Sequence, residues 1–334
     1  MDRETCIIFI LTLGLILFVL FYNILIWSEE KILFYPTRKM TYKPNISYDN
    51  LYINSYDVND VCRGEKSEKY KDPRYSYVNA WHFNNFKGRK TVIFCHGNSG
   101  NISHRKYIID ICQQFKLNLI IFDYRGFGKS SGIPSKDNVK NDGETVYKYL
   151  RQYEKPKNII VWGESLGGIA AVRIASKYKC RSLILLSTFS GLDDAIIYTQ
   201  EKDSAKRSMA RLVAYMASWK LDVLPSRDVI KHVKCPVAIM HSKDDDMIPY
   251  KCAKILYRNV THYSRVLIPI KGTHSSPIIT QEQLNQLFMF CDLALPEYRH
   301  KCDIDGLLKE LETVAEKHHL FMDEISSSNS NSYY

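Results

Sequence analysis

Ser165 stands at the centre of Gly163-Glu164-Ser165-Leu166-Gly167, and the apolar run Ile159-Ile160-Val161-Trp162 leads straight into it. A strand that turns sharply into a helix presents its serine hydroxyl in the open, and glycine on either side leaves room for strand and helix to close together. The chemistry on offer is nucleophilic. A serine hydroxyl attacks poorly until a histidine takes its proton, and that histidine needs a carboxylate to fix its tautomer and stabilise its cationic form. Both partner types follow in the chain. Pro236–His241 reads as a buried strand ending in the carboxylate-rich turn Ser242-Lys243-Asp244-Asp245-Asp246, and Arg265–Ile270 reads as another, ending in Lys271-Gly272-Thr273-His274. Each group falls just past the carboxyl end of a strand, the edge at which open α/β sheets bind ligands. The serine pattern alone is common by chance, and a small-residue helix start packed on a sheet has the same letters. The ordered partners downstream separate the two readings. His241 and His262 lack that setting and read as structural or exposed.

Acyl transfer also develops an oxyanion, and each preorganised N–H donor aimed at it lowers the barrier by roughly 3–4 kcal/mol. Thr91–Cys95 reads as a short strand followed by His96-Gly97-Asn98-Ser99-Gly100-Asn101, a glycine-rich turn whose amides can face a cavity. The expected donors are the amides of Asn98 and Leu166, the second directly following the serine. His96 reads as a loop brace. A further strand, Leu119–Phe122, ends in Asp123-Tyr124-Arg125-Gly126-Phe127-Gly128-Lys129-Ser130, where Asp123 and Arg125 are expected to tie loops together.

These turns need a frame, and the hydrophobic rhythm supplies one. Met40–Phe83 alternates apolar and polar residues and suits an antiparallel strand pair, with a charged loop at Arg63–Pro73. From Thr91 onward strands alternate with helix-compatible stretches at 102–115, 136–153, 166–178, 249–259 and 280–295, which predicts a mainly parallel sheet covered on both faces. Between the strand Ser182–Ser187 and Pro236 the connection exceeds an ordinary crossover and predicts a small helical cap at about 189–232, with Ala195–Ile197 and Met209–Trp219 as its apolar face. Such a cap can gate an acyl-chain pocket; a plain packing layer is the alternative.

In these blocks the chain resembles the α/β-hydrolase superfamily, and within it the single-pass membrane-anchored serine hydrolases. The shared features are the His96-Gly97-Asn98 turn, the Asp123-x-Arg125-Gly126-x-Gly128-x-Ser130 turn and the Gly272-Thr273-His274 ending, over roughly 31–295. The superfamily order is serine, acid, histidine. The resemblance implies Ser165, Asp245 and His274 as the catalytic triad and Asn98 with Leu166 as the oxyanion hole. Asp245 is chosen from the three acids because it stands four residues after His241 and four before Pro249, as in the related His-Gly-x-x-Asp-x-x-x-Pro-like turn. The chain departs from the pattern in having Ser242 in place of the usual glycine, in Lys243 and the aspartate triplet, and in lacking the lipase-type His-Gly-Gly-Gly run. The implied fold is an α/β-hydrolase fold: a mostly parallel central sheet flanked by helices, a small helical cap, and one N-terminal transmembrane helix. The expected reaction is cleavage of an ester or thioester, in an acyl lipid or an S-acylated protein, through an acyl-enzyme and without metal or cofactor. A peptidase of the same fold and a catalytically silent membrane-tethered scaffold are the rival readings.

The expected domains are an anchor at 1–28, the hydrolase domain at 29–320 and a serine-rich disordered tail at 321–334, with 303–318 an amphipathic helix. Cys6–Trp27 is an uncharged run long enough to cross about 30 Å of hydrocarbon. A cleaved signal would have a shorter apolar core and a small-residue cleavage site, whereas here Trp27 leads into Ser28-Glu29-Glu30-Lys31. Lys31, Arg38, Lys39 and Lys43 after the run, against Arg3 before it, place the domain on the cytosolic side; the resemblance implies the lumenal side. Nine scattered cysteines, an odd number without metal-ligand spacing, favour neither compartment. The net charge of +10, from 46 basic and 36 acidic residues, comes without a recognition-helix signature or arginine-rich block. The expected partners are therefore a lipid bilayer and an acyl-containing substrate, with no nucleic acid and no obligate protein partner.

Overall fold

The computed structural model describes residues 12–14, 33–65, 68, 72, 74–199 and 225–291. Most of the expected anchor and cap, and all of the chain beyond 291, lie outside them. No helix among the described residues is long and apolar enough to cross a membrane.

The strands are β1 (Tyr35–Pro36), β2 (Asp49–Asn54), β3 (Val61–Arg63), β4 (Tyr77–Phe83), β5 (Thr91–Cys95), β6 (Ser99–Gly100), β7 (Asn118–Asp123), β8 (Ile159–Glu164), β9 (Ser182–Leu186), β10 (Val237–Ser242), β11 (Arg265–Thr273) and β12 (Ser276–Ile278). Apart from β1 and β6, they form one sheet in the order β12-β11-β10-β9-β8-β5-β7-β4-β2-β3. The run from β7 to β11 is parallel throughout. The antiparallel strands β4, β2 and β3 extend one edge and β12 the other. The helices are α1 (Lys106–Gln114), α2 (Lys136–Leu150), α3 (Gly167–Lys177), α4 (Leu192–Thr199), α5 (Ser226–Val229), α6 (Tyr250–Asn259) and α7 (Gln281–Phe290).

In the central parallel strands β5, β7, β8, β9 and β10 successive residues feed opposite cores, which is why these strands are mostly apolar rather than alternating. On β8, Ile159 and Val161 join the core under α2, α3 and α6, while Ile160 and Trp162 join the one under α1 and α7. Two elements differ from expectation. Val61–Arg63 adds a third antiparallel strand where a loop was expected to begin, pairing Leu51 with Arg63. The helix expected from 102 is broken: Asn101 caps a short 3-10 turn at Ile102–His104, and Arg105, at φ −112° and ψ 37°, separates it from α1.

The segment entering the domain crosses the site rather than the sheet. Phe34 is buried edge-on against Phe127 with ring centroids 6.3 Å apart. β1 pairs with β6, matching Tyr35 to Ser99 and Pro36 to Gly100.

Candidate active site

β8 lies centrally between β5 and β9, and its carboxyl end carries Ser165 into α3. Ser165 takes φ +51°, a left-handed conformation that costs a serine about 1–3 kcal/mol and persists because its surroundings hold it. Its amide donates to the Leu186 carbonyl at 2.9 Å, and its own carbonyl accepts from the Gly168 amide at 3.0 Å and the Thr188 hydroxyl at 2.6 Å. A side chain cannot be added here. A Cβ on Gly167 would lie 2.0 Å from the Cys95 carbonyl oxygen, and one on Gly163 2.7 Å from the Ala171 Cβ.

His274 is brought over the serine by a hairpin. β11 and β12 pair antiparallel with Thr273 opposite Ser276, so His274 and Ser275 form a two-residue loop. Its Nε2 lies 3.0 Å from Ser165 Oγ, and its Nδ1 lies 2.9 Å from Asp245 Oδ2. With the proton on Nδ1, that nitrogen donates to the carboxylate and leaves Nε2 free to accept the serine hydroxyl. The backbone amide of His274 donates to Asp246 Oδ1 at 2.9 Å. The aspartate triplet therefore holds the histidine twice, by ring and by backbone. Asp244 touches neither and donates its amide to Ser242 Oγ at 3.0 Å.

The Asp245 side chain is fully buried. Its Oδ1 accepts from the amides of Met247 at 3.0 Å and Ile248 at 2.7 Å. Burial works against its charge, but hydrogen bonds from His241, His274 and the Ile248 amide outweigh it and hold the carboxyl well below the usual carboxylate range. His241, expected to be structural or exposed, is fully buried beneath the acid. Its Nε2 is 2.8 Å from the Ile248 carbonyl and 3.4 Å from Asp245 Oδ2, so one N–H faces both. Its position four residues before Asp245, at a strand end, was the available signal. Ser242, a departure from the related pattern, donates its hydroxyl to the Gly272 carbonyl and so ties the acid turn to the histidine turn.

The turn after β5 passes over the elbow: a Cβ on Gly97 would sit 3.5 Å from Ser165 Cβ. Among the described residues, neither the Asn98 nor the Leu166 amide has a protein acceptor. The turn is pinned from outside by the chain entering the domain. The Tyr35 amide donates to the Asn98 carbonyl at 2.9 Å, and the Asn98 side chain donates to the Leu33 carbonyl at 3.1 Å. From inside, His96 Nδ1 faces the Gly97 carbonyl at 2.7 Å while its ring packs on Tyr124, the brace expected of it. Asp123 Oδ1 accepts from the Ile102 amide, and Arg125 donates to Asp142, so both tie loops as their positions suggested. Glu164 was missed: it accepts from the Tyr107 hydroxyl at 2.6 Å and faces Arg105, which donates to the Ser99 carbonyl at 2.7 Å.

The fold has counterparts among known proteins. The family described as serine aminopeptidase, S33 matches residues 87–229. Protein R595 of Acanthamoeba polyphaga mimivirus is 31% identical over 214 residues, spanning 59% of this chain and 71% of its own length. This chain belongs to the α/β-hydrolase superfamily. Relatives whose names carry a hydrolase activity or fold align over less of their length. Lysophosphatidylserine lipase ABHD12 of Danio rerio is 30% identical over 53% of this chain and 49% of its own. Alpha/beta hydrolase domain-containing protein 17C of Xenopus tropicalis is 30% identical over 62% and 63%. This chain thus spans about half the length of the Danio rerio lipase and under two thirds of the Xenopus tropicalis protein. Esterase Pf2001 of Pyrococcus furiosus shares the superfamily fold at 18% identity, with a TM-score of 0.56 over 78% of this chain and 97% of that one.

Proposed function

We propose that the chain is a membrane-tethered serine hydrolase that cleaves an acyl ester or thioester through an acyl-enzyme. The observation that carries this reading is the unbroken relay from Ser165 Oγ to His274 Nε2 at 3.0 Å and from His274 Nδ1 to Asp245 Oδ2 at 2.9 Å. Ser165 attacks the acyl carbon while His274 takes its proton; Asp245 fixes the ring and stabilises the imidazolium. The amides of Asn98 and Leu166 receive the oxyanion. His274 then returns the proton to the leaving group, and a water activated by the same imidazole releases the acid. Every catalytic group in this scheme is a side chain or amide of the chain itself.

The apolar run at 6–27, taken as an anchor at 1–28 ahead of the 29–320 domain, would hold the site beside a bilayer and favour long-chain acyl substrates. A lysophospholipid lipase among the relatives supports the same class. The description of the matched family favours one second reading, a peptidase using the same acyl-enzyme on an amide. The test is fluorophosphonate labelling of the protein and its Ser165→Ala variant, followed by ester, thioester and aminoacyl-amide substrates graded in acyl length. Labelling lost in the variant, with rates rising with acyl length, is the expected result. Absence of labelling in folded protein would overturn the hydrolase. Turnover confined to the amides would replace esterase with peptidase.

A further inference from the structure

At the opposite edge of the sheet from Ser165, Cys180 precedes β9 and Cys235 precedes β10. These strands are parallel neighbours, with Leu183 opposite Val237, and the Leu183 amide donates to the Pro236 carbonyl at 2.9 Å. The pairing brings the two sulfurs to 3.3 Å as free thiols. They border a cavity of about 700 Å³ whose other walls include Lys155, Lys157, Lys179 and Lys234. No acidic residue lines it, and none of these four lysines has a carboxylate partner among the described residues. Lys177, also at the rim, is already held by Glu144 at 2.8 Å.

We propose that Cys180 and Cys235 are a redox-active dithiol, closed to a disulfide by a small anionic disulfide of the glutathione type that the lysines draw into this cavity. One protein thiolate attacks a sulfur of the oxidant and expels one glutathione thiolate. The second protein thiolate then attacks the mixed disulfide, expels the other glutathione and completes the Cys180–Cys235 bond. Two protein thiols are oxidised as one disulfide is reduced to two thiols, so the exchange balances. Negative charge on the oxidant makes the basic cavity selective, since attraction of opposite charges raises the encounter rate.

The other described thiols lack this arrangement. Burial pushes Cys252 up to about 11 and Cys291 up to about 12, and raises Cys95 and Cys112 as well. Cys62 donates to the Glu65 carbonyl at 3.1 Å. Cys180 is itself raised, first by its hydrogen bond to Cys235 and then by burial, so exchange should quicken as pH rises. The disulfide would join positions 55 residues apart. It would thereby cross-link the amino ends of the neighbouring parallel strands β9 and β10.

The test treats the full-length protein with oxidised glutathione and follows intact mass and peptide mapping. The expected product has lost two hydrogens at Cys180–Cys235, and its melting temperature rises by about 5 °C. Cys180→Ser and Cys235→Ser should each stop short of that bond, and at least one should retain a glutathionyl group. Lys179→Glu with Lys234→Glu should slow the reaction roughly ten-fold and remove its preference over the cationic disulfide cystamine. Thiols left unpaired under excess oxidant would overturn the dithiol. Equal rates with glutathione and cystamine in the unaltered protein would overturn the role of the lysines.

Discussion

Replacing Asp245 with asparagine separates the acid from its neighbours more sharply than any truncation. The side chain keeps its shape, and its remaining oxygen can still accept from the Met247 and Ile248 amides, now at 3.0 and 2.7 Å. The amide nitrogen then faces His274 Nδ1 across the present 2.9 Å contact. Two donors cannot share that gap, so the imidazole moves its proton to Nε2 and presents N–H to Ser165, which can no longer give its proton away. The expected loss is roughly 10⁴-fold in kcat, the size of a triad tautomer error, or about 5.5 kcal/mol of barrier. The assay compares ester turnover and fluorophosphonate labelling rate in wild type, Asp245→Asn and Asp246→Asn. Asp246 holds only the His274 amide, so its variant should lose about ten-fold or less. Asp245→Asn within ten-fold of wild type, with Asp246→Asn the crippled variant, would refute the assignment.

Stability should report the same carboxylate. Its folded value lies below its unfolded one, so its contribution is full above the ordinary carboxylate range, begins to fall within that range and is lost only as pH drops through the lowered folded value. The gap in urea midpoint between wild type and Asp245→Asn should be level from pH 7 to about 5, narrow as pH falls below about 4 and still be open at about pH 3. Gly168→Ala would place a Cβ 2.0 Å from Thr188 Oγ1, costing about 3 kcal/mol by urea unfolding and dislodging the hydroxyl from the Ser165 carbonyl. Arg227→Met should cost roughly 2–3 kcal/mol in thermal unfolding, because Arg227 grips Asp193 with both terminal nitrogens and Asp194 with one, each at 2.7 Å.

The parallel strands β5, β7, β8, β9 and β10 were legible because both faces are buried, which writes each as a near-continuous apolar run. The candidate triad was legible because its members sit at the ends of such runs in a fixed order. What escaped depends on how turns curl. Whether His241 meets Asp245 is decided by the path through Lys243 and Asp244, which local spacing does not specify. β12 is three residues long and contains Pro277, too short to set a period. The Glu164–Tyr107 hydrogen bond joins positions 57 apart, and nothing in either neighbourhood announces the other. The break at Arg105 follows from the Asn101 side chain taking the Ser103 amide, a contest between cap and helix that composition leaves even.

The pairing of Tyr35 and Pro36 with Ser99 and Gly100 has a mechanical side. A pull on the chain ahead of Leu33 travels through two side-by-side backbone links into the Asn98 turn before the ten-stranded sheet bears any of it. Under such a load the Asn98 turn, whose Gly97 lies against Ser165, would shift together with Phe34 and ahead of the strands. The proposed tether would be in series with the proposed oxyanion donor Asn98, so tension on one would be felt as misalignment of the other.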